Sequence, residues 1–224
     1  MNSKTVKMAA AVIAISAVLA GCETLDAYTR ESQTSSATKG AIIGAVSGAV
    51  VGLVSGDDAV ERRQRALIGA GVGALAGAAI GNYMDQQEAR LRAELEGTGV
   101  SVTRMGDNIT LNMPGNVTFA TNSADLSPQF FGVLTSVSKV MKEYDKTVVE
   151  VAGHTDSDGS QDYNQGLSQQ RAGSVAQYLQ SQGINTQRLI TIGLGETMPV
   201  ADNATAAGKQ ANRRVEITMV PITA

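Results

Sequence analysis

The sequence has no tryptophan, three phenylalanines, five tyrosines, one histidine and one cysteine among 224 residues. A lone cysteine excludes an intramolecular disulfide. Lys and Arg number 18 against 21 Asp and Glu, a net charge of −3, so there is no basic footprint for nucleic acid. The first apolar run, residues 8–19, is too short to span a bilayer. What is present is unevenly spread: Gly and Ala concentrate in the first ninety residues.

Lys4 and Lys7 precede that apolar run, and Leu19-Ala20-Gly21-Cys22 follows it. A charged start, a short apolar stretch and small residues are the signature of a cleaved targeting segment, here residues 1–21. The four residues ending at Cys22 resemble a lipobox, in which cleavage frees the cysteine for lipidation. Removing Lys4 and Lys7 takes the net charge from −3 to −5. One acyl chain holds a membrane marginally, whereas the three chains of such lipoproteins form a stable anchor. Glu23 follows the cysteine, and the absence of Asp there implies the outer membrane under the enterobacterial sorting rule.

Residues 22–39 are small and polar and read as a flexible tether. Gly40, Gly44, Gly48, Gly52 and Gly56 then recur every fourth position, and Gly69, Gly73, Gly77 and Gly81 repeat the pattern after a charged patch at 57–65. On a helix this spacing lines the glycines along one face. Glycine in an exposed helix costs roughly 1 kcal/mol relative to alanine, so nine of them require close backbone packing. Residues 40–84 therefore read as a helical hairpin with the charged patch as its turn. Membrane insertion, self-association through the glycine faces and docking of a partner all remain open for it. Residues 85–98 read as a polar helix or linker ending near Gly97.

From residue 99 to 224 the pattern becomes that of an α+β domain. Alternating residues at 100–103 and 109–113 around Gly106-Asp107 predict a β-hairpin. Ser127-Pro128 predicts a helix start, with Phe130, Leu134, Val137, Met141 and Tyr144 on one face. Strands are expected at 147–151, 189–192 and 215–219, and a second helix at about 163–182. Two helices between strands pack on one face of a small mixed sheet.

The second helix has an apolar stripe of Leu167, Val175, Tyr178 and Leu179, and Asn164 and Arg171 fall inside it. A guanidinium there must reach solvent or meet a carboxylate, for which Asp156 is the candidate. Either the two form a structural ion pair, or both face a ligand bearing both charges. Two other chemistries fit poorly. The loop beginning Asp156-Ser157-Asp158-Gly159-Ser160 has Leu167, not Glu, at the twelfth place of a calcium loop, and its glycine comes early. His154 with Ser157 or Ser160 lacks any nucleophile-elbow or oxyanion signature. We therefore expect no metal, no cofactor and no catalytic residue.

Gly153-His154-Thr155-Asp156, Tyr163-Asn164, Leu167-Ser168-Gln169-Gln170-Arg171-Ala172, Gly193-Leu194-Gly195-Glu196 and Asn212-Arg213-Arg214-Val215 occur in order. Together they resemble the OmpA-like peptidoglycan-binding domain, also found in Pal and MotB proteins, over residues 100–222. The repeat resembles the glycine-zipper region of outer-membrane lipoproteins, and the whole chain resembles the YiaD type. The resemblance implies an OmpA-like fold preceded by a glycine-zipper hairpin, and a noncovalent tether between outer membrane and peptidoglycan. It implies meso-diaminopimelate of the stem peptide as ligand. Asp156 would meet its ammonium and Arg171 its carboxylate, with Asn164 adding an amide contact and Arg213 nearby positive charge. Residues 119–122 would form the other wall. An envelope regulator or assembly scaffold acting through the hairpin is the alternative, with wall binding secondary.

The anchor is testable by fractionation. Cys22→Ser should move the protein into the soluble periplasmic fraction, and retention in the membrane would make the glycine segment an insertion element.

Overall fold

The computed structural model describes residues 23–25, 32–34, 57–119 and 123–223. Cys22, the targeting segment and the first glycine run at 40–56 lie outside the described residues. A short antiparallel ribbon pairs β1 (Glu23–Leu25) with β2 (Ser32–Thr34). The rest follows in the order α1 (Asp57–Gly69), α2 (Ala78–Leu95), β3 (Ser101–Met105), β4 (Asn108–Pro114), α3 (Gly115–Thr118), α4 (Phe130–Glu143), β5 (Thr147–Gly153), α5 (Gln161–Ser181), β6 (Leu189–Gly193), α6 (Ala206–Asn212) and β7 (Arg214–Pro221).

Five strands form one mixed sheet in the order β3-β4-β7-β5-β6. All neighbours are antiparallel except β5 and β6, which run parallel with α5 as their crossover. The expected hairpin closes at Met105↔Asn108 around Gly106-Asp107. Odd-numbered residues of the central strands, including Val149, Val151, Val215, Ile217 and Met219, enter one core with Leu134, Val137 and Met141 of α4 and Val175 and Leu179 of α5. That is the period-2 and period-3.6 matching expected of a two-layer domain. α4 begins two residues beyond the expected Pro128, because residues 128–129 form a turn in which Phe130 N–H bonds the Ser127 carbonyl.

The stretch 85–98, expected as a polar helix or linker, is a third helix of the core layer. Met84, Leu91 and Leu95 of α2 are buried in the same core cluster, and Gln87 donates to Met219 Sδ at 3.0 Å. Tyr83 of α2 accepts from Lys146 N–H at 2.9 Å and meets Tyr144 edge-on at 5.3 Å. Burial of that phenol pushes its pKa up to about 12. The buried stripe is narrow and the remaining faces are charged, which is why composition alone reads this helix as polar.

The charged patch expected as the hairpin's turn is itself helical, as α1. Leu67 of α1, with Val72 and Ala74 beyond it, covers Val148, Ile190, Val220 and Ile222 on the opposite face of the sheet. Leu75 N–H bonds the Ile222 carbonyl at 2.7 Å. The second glycine run leaves the helix between α1 and α2, where Gly71 (φ 90°) and Gly77 (φ 53°) take left-handed conformations. These angles reverse the chain, so the helix break falls on the glycines instead of the charges. Among the described residues no helix is long and apolar enough to cross a membrane.

If α2 belongs to the core, Leu91→Ala should cost about 3 kcal/mol by urea unfolding. Gln86→Ala, on the exposed face, should change stability by less than about 0.5 kcal/mol.

Candidate functional site

The first turns of α5 rest directly on the ends of β5 and β6. A Cβ at Gly153 would lie 2.1 Å from the Ser168 carbonyl oxygen, and one at Gly193 would lie 2.5 Å from the Gln169 nitrogen. Backbone contact of this kind admits only glycine at both strand ends. Ser168 Oγ accepts from Gly195 N–H at 2.9 Å. The side chains of Gln165 and Gln169 bond the carbonyl and amide of Gly193, each at 2.7 Å. The helix is thereby locked to the strand ends, and Ser160 caps its start by accepting from Tyr163 N–H.

Between β5 and this cap, the chain passes through Asp156, which is 6% exposed. Asp156 Oδ1 accepts from Asp158 N–H at 3.1 Å, closing a tight local turn. Its other oxygen is ion-paired with Arg213 Nη1. Asn164, 1% exposed, reaches under the loop from α5. Its amide nitrogen donates to the Asp156 carbonyl at 3.2 Å and to Glu196 Oε2 at 2.6 Å.

Arg171 stands about two turns along the same helix face, 6% exposed. Its Nε donates to the Ser123 carbonyl at 3.2 Å, and its guanidinium carbon sits 5.2 Å from the centre of the Phe119 ring. Burial is the largest influence on this cation and lowers its pKa, with Arg213 adding to that and Tyr163 and Asp156 opposing it. Among the described residues no carboxylate comes within the 4.0 Å of an ion pair to Arg171. Of the two readings of Arg171 and Asp156, the structural ion pair is not found: Asp156 pairs with Arg213 instead. The two buried charges influence each other electrostatically without forming an ion pair.

Arg213 is held by its neighbours in the Asn-Arg-Arg-Val motif. Asn212 is fully buried and ties residues 200–203 together, accepting from Val200 and Ala201 N–H at 2.8 and 3.0 Å and donating to the Ala201 carbonyl and Asn203. The Arg213 carbonyl accepts from Gly115 N–H at 2.8 Å, and a Cβ at Gly115 would stand 2.7 Å from that oxygen. Lys209 of α6 reaches Asp158 at 2.7 Å. Arg214 points to the opposite face of the sheet, where it bonds Glu216 at 2.6 Å beside the buried ring of His154.

The structure therefore brings Asp156, Asn164, Arg171 and Arg213 to one end of the sheet. Leu167, expected in the core stripe, is only partly buried, and Ser168 takes its place in the stripe. Glu196, Asn212 and Ser168 escaped the reading from periodicity because their roles are hydrogen bonds across 11 to 32 positions of sequence. Their presence within motifs was the only available signal. Of the expected second wall, Phe119 stacks on Arg171, and residues 120–122 lie outside the described residues.

A mixed five-stranded sheet under a helical layer, with an aspartate and two arginines at one end, defines an OmpA-like domain. A model of the OmpA family matches residues 118–213, and one of the YMGG-like Gly-zipper matches residues 1–85. The chain belongs to the YiaD lipoprotein family: it is 50% identical over 219 residues to the probable lipoprotein YiaD of Escherichia coli (strain K12), covering 98% of this chain and 99% of that one. It is 40% identical over 105 residues to the outer-membrane lipoprotein YfiB of Pseudomonas aeruginosa, covering 47% of this chain and 62% of that one. Among solved structures it resembles the cell wall anchor of the T6SS from Pseudomonas aeruginosa, 33% identical with a TM-score of 0.55, covering 60% of this chain and 96% of that one.

His154 supplies a pH test of the strand that carries Asp156. Burial, then the charge of Arg214, lower its pKa to about 4, with Glu216 opposing them. The folded value lies below the unfolded value of about 6.5, so the stabilisation is full above pH 6.5 and is lost as pH falls towards 4. That loss should be on the order of 3 kcal/mol by urea unfolding. His154→Asn should lack this component, and parallel curves for the two proteins would exclude it.

Proposed function

We propose that this chain is an outer-membrane lipoprotein that holds peptidoglycan noncovalently, with no catalytic step. Its ligand is the meso-diaminopimelate of the stem peptide, and the anchor is an acylated Cys22. The observation that carries this reading is the buried guanidinium of Arg171, which has no carboxylate partner among the described residues yet lies close enough to buried Asp156 to feel its charge. A buried charge is stable only when paired or well hydrogen-bonded, and Arg171 makes one hydrogen bond to the described residues, so the arrangement suits a ligand bringing its own carboxylate.

The side-chain end of diaminopimelate carries an ammonium and a carboxylate on one carbon. Arg171 takes the carboxylate through its guanidinium, held flat by the Phe119 ring and the Ser123 carbonyl. Asp156 takes the ammonium, sharing its charge with Arg213. The Arg213 pair keeps the empty carboxylate from standing alone, and its partial exposure lets the guanidinium swing as the ammonium arrives. The amide nitrogen of Asn164 is already committed to the Asp156 carbonyl and Glu196, so Asn164 acts by fixing the loop and not by touching the ligand. A relative supports the class of ligand: the peptidoglycan-binding protein ArfA of Mycobacterium tuberculosis (strain ATCC 25618 / H37Rv) is 39% identical over 105 residues, 47% of this chain and 32% of that protein.

Sedimentation with purified sacculi tests the site. Asp156→Ala and Arg171→Ala should each weaken pelleting about ten- to a hundredfold while melting as cooperatively as the parent, since each removes a charge-assisted contact. Folded variants that pellet like the parent would show that the site lies elsewhere.

A further inference from the structure

Two adjoining hollows run from the Arg171 cleft along the outer side of α5. The nearer, about 480 Å³, includes Ser123, Tyr163 and Leu167, with Asp125 and Asp162 as its charged residues. Ser123 is the residue whose carbonyl receives Arg171 Nε, so this hollow begins beside that cation. The farther, about 640 Å³, lies between α5 and the free edge of β6. Ala124 and Gln170 line both.

The lining of the farther hollow contains no ionisable side chain. Gln170, Ser174, Gln177, Gln180, Thr186 and Thr191 supply its polar groups. Gln165 and Gln169 are spent on β6, whereas Gln170, Gln177 and Gln180 make no side-chain hydrogen bond to any described residue. The floor of the hollows holds a second oddity. Gly166 and Gly173 sit inside a 21-residue helix, where glycine is unfavourable, yet a Cβ at either would meet nothing within 4 Å. Unlike Gly153 and Gly193, they serve no close contact among the described residues, and both open onto the hollows.

We infer that this groove seats the glycan strand of the same wall polymer whose stem peptide occupies the Asp156/Arg171 cleft. The inference rests on the function proposed above. A neutral chain of acetamido sugars matches an amide- and hydroxyl-lined surface without charge, whereas the carboxylates of a free peptide have no cation to meet there. The dimensions agree: residues 170–180 span about 15 Å along the helix. A stem of three residues, extended, covers about 10 Å between the cleft and the sugar that bears it. Gly166 and Gly173 leave the depth that a pyranose ring needs against the helix backbone.

The test compares two soluble probes with the full-length lipoprotein in detergent by calorimetry. One is the stem peptide freed of sugar by an amidase, and the other is the same stem still carrying its disaccharide. The disaccharide form should bind at least tenfold tighter to the parent. Gly173→Glu and Gln177→Ala should each erase most of that difference while leaving the affinity for the sugar-free stem unchanged. Gly173→Ala should raise the melting midpoint by a few degrees, reporting a folded helix with the groove partly filled. Equal affinity of the parent for both probes would overturn the glycan groove and leave the cleft standing. Failure of the parent to bind either probe would overturn the cleft and the groove together.

Discussion

The contact between the α5 backbone and the glycines that end β5 and β6 is what the site depends on. Because the Ser168 carbonyl and the Gln169 amide sit where side chains would otherwise project, the helix crosses the strand ends at the smallest possible separation. Asn164 and Arg171 then fall on the buried side of that helix, level with the loop leaving β5. With any side chain at Gly153, the helix would be displaced by roughly the width of a methyl group or more, and the Asn164 bonds to the loop would be lost first. The paired glutamines show the same economy: they satisfy the outward polar groups of Gly193 at an otherwise open strand edge.

This explains which parts of the molecule were legible in the sequence. Strand alternation and helix stripes identified the hairpin, α4, α5 and the three later strands, since each buries one face by a simple period. The helix α2 was legible as a polar helix or linker, but its place in the core was not, because a stripe of Met84, Leu91 and Leu95 is diluted by charged residues and by a buried glutamine. The charged patch at 57–65 was misread as a turn, since charge does not end a helix. What ends α1 is the glycine run behind it, through Gly71. Spacing of four predicts a helix face only if every glycine stays right-handed, and Gly77 does not.

At the site, periodicity found the anomaly but not the pairing. Arg171 and Asn164 stood out as polar residues in an apolar stripe, and both are buried. Asp156, in the loop feeding the helix, was the candidate partner, with a shared ligand as the alternative. Its actual partner comes from the start of β7, 57 positions away, because antiparallel pairing of β5 with β7 brings Gly153 opposite Val215. No local pattern encodes that register. The resemblance to a family supplied Arg213 where the residue spacing could not.

The partition of cations has a thermodynamic consequence. Arg188 is also buried, yet it donates to the carbonyls of Met141, Tyr144 and Thr147 at 2.7 to 3.1 Å, so its charge is dispersed within the scaffold. Arg171 has a single such bond among the described residues and an aromatic face. One cation is held by three carbonyls of the fold, whereas the other makes one carbonyl bond to the described residues at the end of the sheet. An incomplete shell around a buried charge lowers the stability of the empty domain. A carboxylate that completes the shell binds the folded state alone, because the unfolded chain has no cleft. Occupancy by such a ligand and domain stability would therefore be linked by mass action.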